Sequence, residues 1–161
     1  MIGNKLIIGV SDAIVSDNHQ DTLITYSLGS CIGVCAYDSV VSVGGLLHYQ
    51  LPNASIDIQK ANQNPFMFAD SGMKVLVDKM LSMGAVKKRI QVKIAGGANM
   101  DTGPKGFEIG KRNYLSIRKI LWQNGMFIAA EDCGGSWPRT MSMNITDGLV
   151  KIKANGSENQ L

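Results

Sequence analysis

Cys31 and His48 are the residues of this chain whose types and spacing could do chemistry. They stand seventeen positions apart, in Leu23-Ile24-Thr25-Tyr26-Ser27-Leu28-Gly29-Ser30-Cys31-Ile32-Gly33-Val34-Cys35 and Gly44-Gly45-Leu46-Leu47-His48-Tyr49-Gln50-Leu51-Pro52. A cysteine attacks as its thiolate, and a free thiol is mostly protonated at neutral pH, so a nucleophile needs a base or a positive neighbour. Histidine is the natural base, because its ordinary pKa lies near neutrality. Gly29 gives the preceding corner access to unusual backbone angles, and with Ser30 it could aim backbone N–H groups at a developing oxyanion. The same residues also have a structural reading. Cysteine in an apolar strand serves as a small buried hydrophobe, and a histidine after two leucines is often a satisfied core group. Spacing alone leaves both open, and Cys35 and Cys133 fit the structural one.

The elements that must position this pair can be read from the hydrophobic pattern. The separation suits a hairpin or two neighbouring strands, Cys31 opening the strand over 31–37 and His48 lying on the next, over 40–49, with Asp38-Ser39 as the turn. Leu6 to Val10 reads as a buried strand, and Ser11 to Asp21 as a polar connection carrying His19 in a solvated loop. Thr22 to Tyr26, rich in β-branched residues, leads into the corner. Asn53 to Pro65 is polar and without period, a long loop beside the histidine that reads equally as a substrate flap or as disorder. Met73, Leu76, Val77 and Met80 give one face of a helix within 66–83, widened by Leu81 and ended by Gly84.

Arg89 to Ala95 reads as a strand ending in Gly96-Gly97-Ala98, where close backbone approach explains the glycines better than a phosphate cradle. Residues 101–106 form a loop before a second helix over 111–123, with Tyr114, Ile117, Ile120 and Leu121 inside. Met126 to Glu131 is a strand followed by an Asp132-Cys133-Gly134-Gly135-Ser136 corner that serves the fold. Arg139 to Ile145 and Leu149 to Ile152 flank the hairpin signal Asp147-Gly148. The pattern gives an α+β fold: a mixed β-sheet or two-layer β core of roughly eight strands, with two main helices packed on the outside.

Composition narrows the function. The 161 residues suit a single domain, 1–161, with 154–161 a polar, frayed tail. They are 45% hydrophobic, 18% charged and contain 18 glycines, which favours a turn-rich sheet protein. A net charge of +3 from scattered residues, one short basic run at Lys87-Lys88-Arg89 and 6% aromatics argue against nucleic acid. Cys31 and Cys35 on one strand share a face but stand too far apart for an unstrained disulfide, and no metal-ligand cluster is spaced along the chain. Reduced thiols and the lack of a signal-peptide or membrane-spanning run point to a cytoplasmic protein.

Five ordered blocks resemble one family. Thr25 to Cys31, reading T-Y-S-L-G-S-C, and Gly45 to Pro52, reading G-L-L-H-Y-Q-L-P, are similar to the nucleophile and histidine segments of the CheD family of bacterial chemoreceptor glutamine deamidases. Lys93 to Met100, Ile109 to Asn113 and Glu131 to Gly135 resemble its remaining blocks in the same order, so the resemblance spans about residues 5–153. It implies Cys31 as nucleophile, His48 as base and Thr25 as a third member that orients the ring. It implies a protein-glutamine glutaminase that hydrolyses glutamine side chains to glutamate through a thioester, with glutamyl methyl ester hydrolysis at the same site and no metal or organic cofactor. The implied partners are the helical cytoplasmic regions of chemoreceptors and, where one exists, the chemotaxis phosphatase CheC. A competing reading keeps the fold but not the turnover: a regulatory binding module for CheC or a receptor complex. A generic cysteine peptidase fits less well, since the sequence suggests neither a long substrate cleft nor a pro-segment.

Overall fold

The computed structural model describes residues 3–100 and 108–161. Among these residues ten strands form two five-stranded sheets. In the first sheet the order is β1 (Asn4–Ile7), β3 (Asp21–Leu28), β8 (Arg139–Asn144), β9 (Val150–Ala154) and β10 (Ser157–Gln160). In the second it is β2 (Asp12–Ser16), β5 (Val43–Tyr49), β4 (Ile32–Asp38), β6 (Gln91–Gly96) and β7 (Ile128–Cys133). The β1/β3 and β6/β7 pairs are parallel and the others antiparallel. Helices α1 (Ile58–Gln63), α2 (Ala69–Ser82) and α3 (Ile109–Gln123) complete the described elements.

This layering creates two cores. Leu23, Leu28, Cys35, Leu46, Met141 and Met143 fill the space between the sheets. Val34, Leu47, Leu76, Met80, Ile94 and Ile117 fill the space between the second sheet and the helices. The architecture is the expected α+β one: a two-layer β core with helices outside. Strands β4 and β5 lie in the middle layer, so both their faces are buried almost throughout. That is why Gly44-Gly45-Leu46-Leu47 reads as a continuous apolar run instead of alternating. The glycines there let three layers close, since a Cβ on Gly44 would meet Ile145 and Met143 at 2.8 Å, and one on Gly45 would meet Leu76 at 2.8 Å.

Several boundaries differ from expectation. The polar connection over 11–21 contains β2, whose short Ala13-Ile14-Val15 run is held by pairing with β5. The loop over 53–65 is a chain of short helical turns and α1, each opened by a side-chain cap from Asn53, Asp57 or Asn64. Caps rather than an apolar stripe specify this stretch, so it carries no period. The tail expected to fray forms β10, paired with β9 across Asn155-Gly156, both with positive φ. Asn-Gly is the two-residue hairpin signal. Leu81 does not widen the inner face of α2 but lies 40% exposed. The loop expected over 101–106 lies outside the described residues. Among the described residues no helix is long and apolar enough to cross a membrane.

Candidate active site

Thr25 joins the two sheets at the point where chemistry was expected. It lies on β3 opposite Met141, fully buried, and its Oγ1 is 2.7 Å from Ile8 O and 2.8 Å from His48 Nδ1. A carbonyl oxygen only accepts, so the single hydroxyl proton goes to Ile8 O, and Oγ1 must accept from Nδ1–H. Those two contacts fix the tautomer. Nδ1 carries the proton and Nε2 carries the lone pair. Nε2 is buried and has no hydrogen-bond partner among the described residues.

Cys31 lies on the same side. His48 on β5 stands opposite Gly33 on β4, and Cys31 lies two residues before Gly33, in the bend that leads into β4, with its side chain against the inter-sheet core. That side is the one toward the first sheet: a Cβ on Gly33 would meet Leu28 at 2.8 Å and Met141 at 2.9 Å. Glycine at 33 therefore keeps the space beside the imidazole free of a side chain.

The corner itself is bent by β3. Between Thr25 and Leu28 the register with β8 slips by one residue, a bulge with Ser27 at φ +59°. Bulges of this kind end a pairing and redirect the chain beyond them. The carbonyls of Gly29, Ser30 and Cys31 then accept in turn from Ala98 N–H at 2.9 Å, Asn113 Nδ2 at 2.9 Å and Gly97 N–H at 2.9 Å. The double glycine is needed for this approach, because a Cβ on Gly96 would lie 2.2 Å from Cys31 O. Close backbone approach, the reading given to Gly96-Gly97, is what the structure shows.

Burial governs the electrostatics. It pushes the Cys31 thiol up, and the residue's own backbone N–H pulls it part of the way back. It pushes His48 down to about 4. The resting pair at neutral pH is therefore thiol and neutral imidazole. Burial and then the nearby Glu131 carboxylate push Cys133 up to about 12, and burial drives Cys35 higher still. These two remain thiols.

The expected site residues are thus accounted for individually. Thr25 and His48 meet across the two sheets, and Cys31 packs against the same inter-sheet core just ahead of β4. Gly29 and Ser30 form the corner, but the Gly29 N–H is already engaged by Ser27 O at 3.0 Å. His19 is exposed between β2 and β3 and takes no part. Cys35 faces the inter-sheet core farther along β4. Cys133, opposite Gly96, packs against the helix-side core instead. Sequence reasoning missed Asn113, which is 0% exposed on the inner face of α3. Its signal was available: it stands four residues before Ile117, within the apolar stripe, where a carboxamide needs partners.

A family model described as CheD chemotactic sensory transduction matches residues 50–154. A "Probable chemoreceptor glutamine deamidase CheD" of Solibacter usitatus is 43% identical over 157 residues, covering 98% of this chain and 93% of that protein. A "Probable chemoreceptor glutamine deamidase CheD 1" of Syntrophus aciditrophicus is 46% identical over 151 residues, 94% of each chain. The "Chemoreceptor glutamine deamidase CheD" of Thermotoga maritima is 37% identical over 157 residues, 98% of this chain and 96% of that one. Fold and site define a two-sheet α+β protein with a cysteine and a histidine on one buried face. The chain belongs to the CheD family.

Proposed function

We propose that the chain, as one domain over residues 1–161, deamidates glutamine side chains of chemoreceptors to glutamate, with Cys31 as nucleophile, His48 as base and Thr25 orienting the base. The names of its relatives support the reaction. The observation that carries the mechanism is Thr25 Oγ1 lodged between Ile8 O and His48 Nδ1, which leaves Nε2 as the lone-pair nitrogen on the face that Cys31 shares.

In this reading Cys31 Sγ adds to the carboxamide carbon as its proton passes to His48 Nε2. The carbonyl oxygen becomes an oxyanion, and the amides of Ser30 and Cys31 are its donors, since that of Gly29 is occupied. The C–N bond breaks and ammonia leaves with the proton held at Nε2. Water gives a proton to the same nitrogen, adds to the thioester, and the C–S bond breaks to release glutamate and restore the thiol. A threonine orients the ring but brings no charge to offset an imidazolium, which separates this trio from one built on a carboxylate. A glutamyl methyl ester presents the same acyl group with a better leaving group, so the reading includes ester hydrolysis. It also includes helical receptor segments as substrates, CheC as a partner where one exists, and a cytoplasmic location.

The test is peptide mass spectrometry of a chemoreceptor cytoplasmic fragment incubated with wild-type protein or with Cys31→Ala. Conversion of glutamine to glutamate by the wild type alone is expected. No conversion on several receptors, with the protein folded and Cys31 reduced, would shift the weight to a regulatory binding module.

A further inference from the structure

The fully buried Asn113 serves no hydrophobic purpose, and its contacts assign it one. Its Nδ2 donates to Ser30 O at 2.9 Å and to Gln50 O at 2.8 Å, so both amide hydrogens go to carbonyl oxygens. Ser30 precedes Cys31, and Gln50 lies two residues beyond His48, so one side chain ties the nucleophile corner to the histidine strand. The turn of α3 that carries it is fixed in its own right, because Tyr49 Oη donates to Asn113 O at 2.7 Å. Gly110 brings that helix close, since a Cβ there would lie 2.3 Å from Ala98 O. Asn113 Oδ1 has no partner among the described residues. A fully buried carboxamide with one unpaired oxygen is a costly occupant of a stripe position, which calls for a reason other than packing.

A trans peptide is planar, with its C=O and N–H pointing in opposite directions. Pulling Ser30 O toward α3 therefore turns the Cys31 N–H toward the other face of the sheet, where the Cys31 side chain and His48 lie. The neighbouring Gly29 and Cys31 carbonyls are held by the Ala98 and Gly97 N–H groups that follow β6. Of the three holders, Asn113 alone uses a side chain.

We propose that Asn113 is a positioning residue that holds the Ser30–Cys31 peptide so that the Cys31 N–H faces the carbonyl oxygen under attack. It rests on the reading of Cys31 as an acyl-forming nucleophile and names the part that prepares its oxyanion site.

Two rates at the same sulfur test it. Alkylation of Cys31 by iodoacetamide forms a C–S bond by displacement at saturated carbon and builds no oxyanion. Acylation by p-nitrophenyl acetate passes through one. For Asn113→Leu, with Asn113→Ala as a second variant should leucine disturb folding, acylation is expected to fall at least about tenfold. The alkylation rate and its pH profile should stay within about twofold. Unchanged acylation, or equal loss of both rates, would overturn the proposal, the latter because a displaced nucleophile explains it. A wild type alkylated but never acylated at Cys31 would overturn it too. A wild type that is acylated but converts no receptor glutamine counts against the glutamine reading, while the ratio of the two rates still decides the role of Asn113.

Discussion

Replacing Thr25 by valine deletes one oxygen that makes two buried hydrogen bonds, to Ile8 O and from His48 Nδ1–H, and keeps the side chain's volume. Both groups are then left unpaired in the inter-sheet core, each at about 1–3 kcal/mol. Stability should fall by roughly 2–6 kcal/mol, which for a chain of this length is a drop in Tm of about 4–24 °C. The effect on rate has a separate origin. Without its acceptor the Nδ1–H tautomer loses about 1–2 kcal/mol of preference, which shifts the ratio of the two tautomers by about 5–30-fold, and kcat falls by up to that factor. Timed mass spectrometry of a receptor fragment measures kcat, and 15N NMR of the His48 ring reports which nitrogen holds the proton. Thr25→Ser, which keeps the hydroxyl, should recover most of the rate. An unchanged ring tautomer with full activity in Thr25→Val would refute the reasoning. So would a loss as complete as that of Cys31→Ala, since an orienting group cannot matter as much as the nucleophile.

Acid should unfold the wild type through His48. Its folded pKa of about 4 lies below the ordinary value, so between about 6.5 and 4 the unfolded chain binds a proton that the native state refuses, and stability is lost as pH falls through that window. Denaturant titrations at pH 7 and pH 5 should differ by roughly 2 kcal/mol more in wild type than in His48→Gln. An equal difference in both proteins would count against a neutral buried ring. Gly96→Ala places a Cβ 2.2 Å from Cys31 O at φ +112° and should cost about 3–4 kcal/mol together with activity, whereas Gly125→Ala, with open space at φ +68°, should cost only about 1–2 kcal/mol. Urea midpoints compare the two. Ser27→Gly relieves the left-handed residue of the bulge and should raise stability by about 0.5–1 kcal/mol, read as a higher Tm; a lower Tm would mean that the serine side chain stabilises the corner.

Legibility in the sequence tracks the range of the interactions. Cys31, His48 and the corner before Cys31 are visible as candidates because a glycine, a cysteine and a histidine stand at the ends of one pair of neighbouring strands. The helix over 69–82 is visible because Met73, Leu76 and Met80 repeat at helical spacing. The strand over 12–16 is not, because three apolar residues become a strand only when β5 supplies the partner. The turns over 54–67 are hidden by capping asparagines, which composition reads as loop. Ser157–Gln160 is polar enough to read as a tail, although Asn155-Gly156 announces its hairpin. From chemistry alone Thr25 carries no signal; its importance lies in an oxygen belonging to Ile8 and a nitrogen on the other sheet. Asn113 is masked by the apolar periodicity around it, and only the polar demands of a carboxamide at a buried position give it away.

The bond between Thr25 and His48 crosses from one sheet to the other, and the filling between those sheets is made partly of Met141 and Met143. In the proposed mechanism the thickness of that filling is thus a kinetic variable. Thioether side chains are pliable, and a hydrogen bond weakens within a few tenths of an ångström, so a repacking too small to threaten the fold could still detach the imidazole from its anchor. Turnover would then register changes in the protein's interior that melting curves pass over, and a conversion of either methionine to its sulfoxide would act on the reaction from beneath.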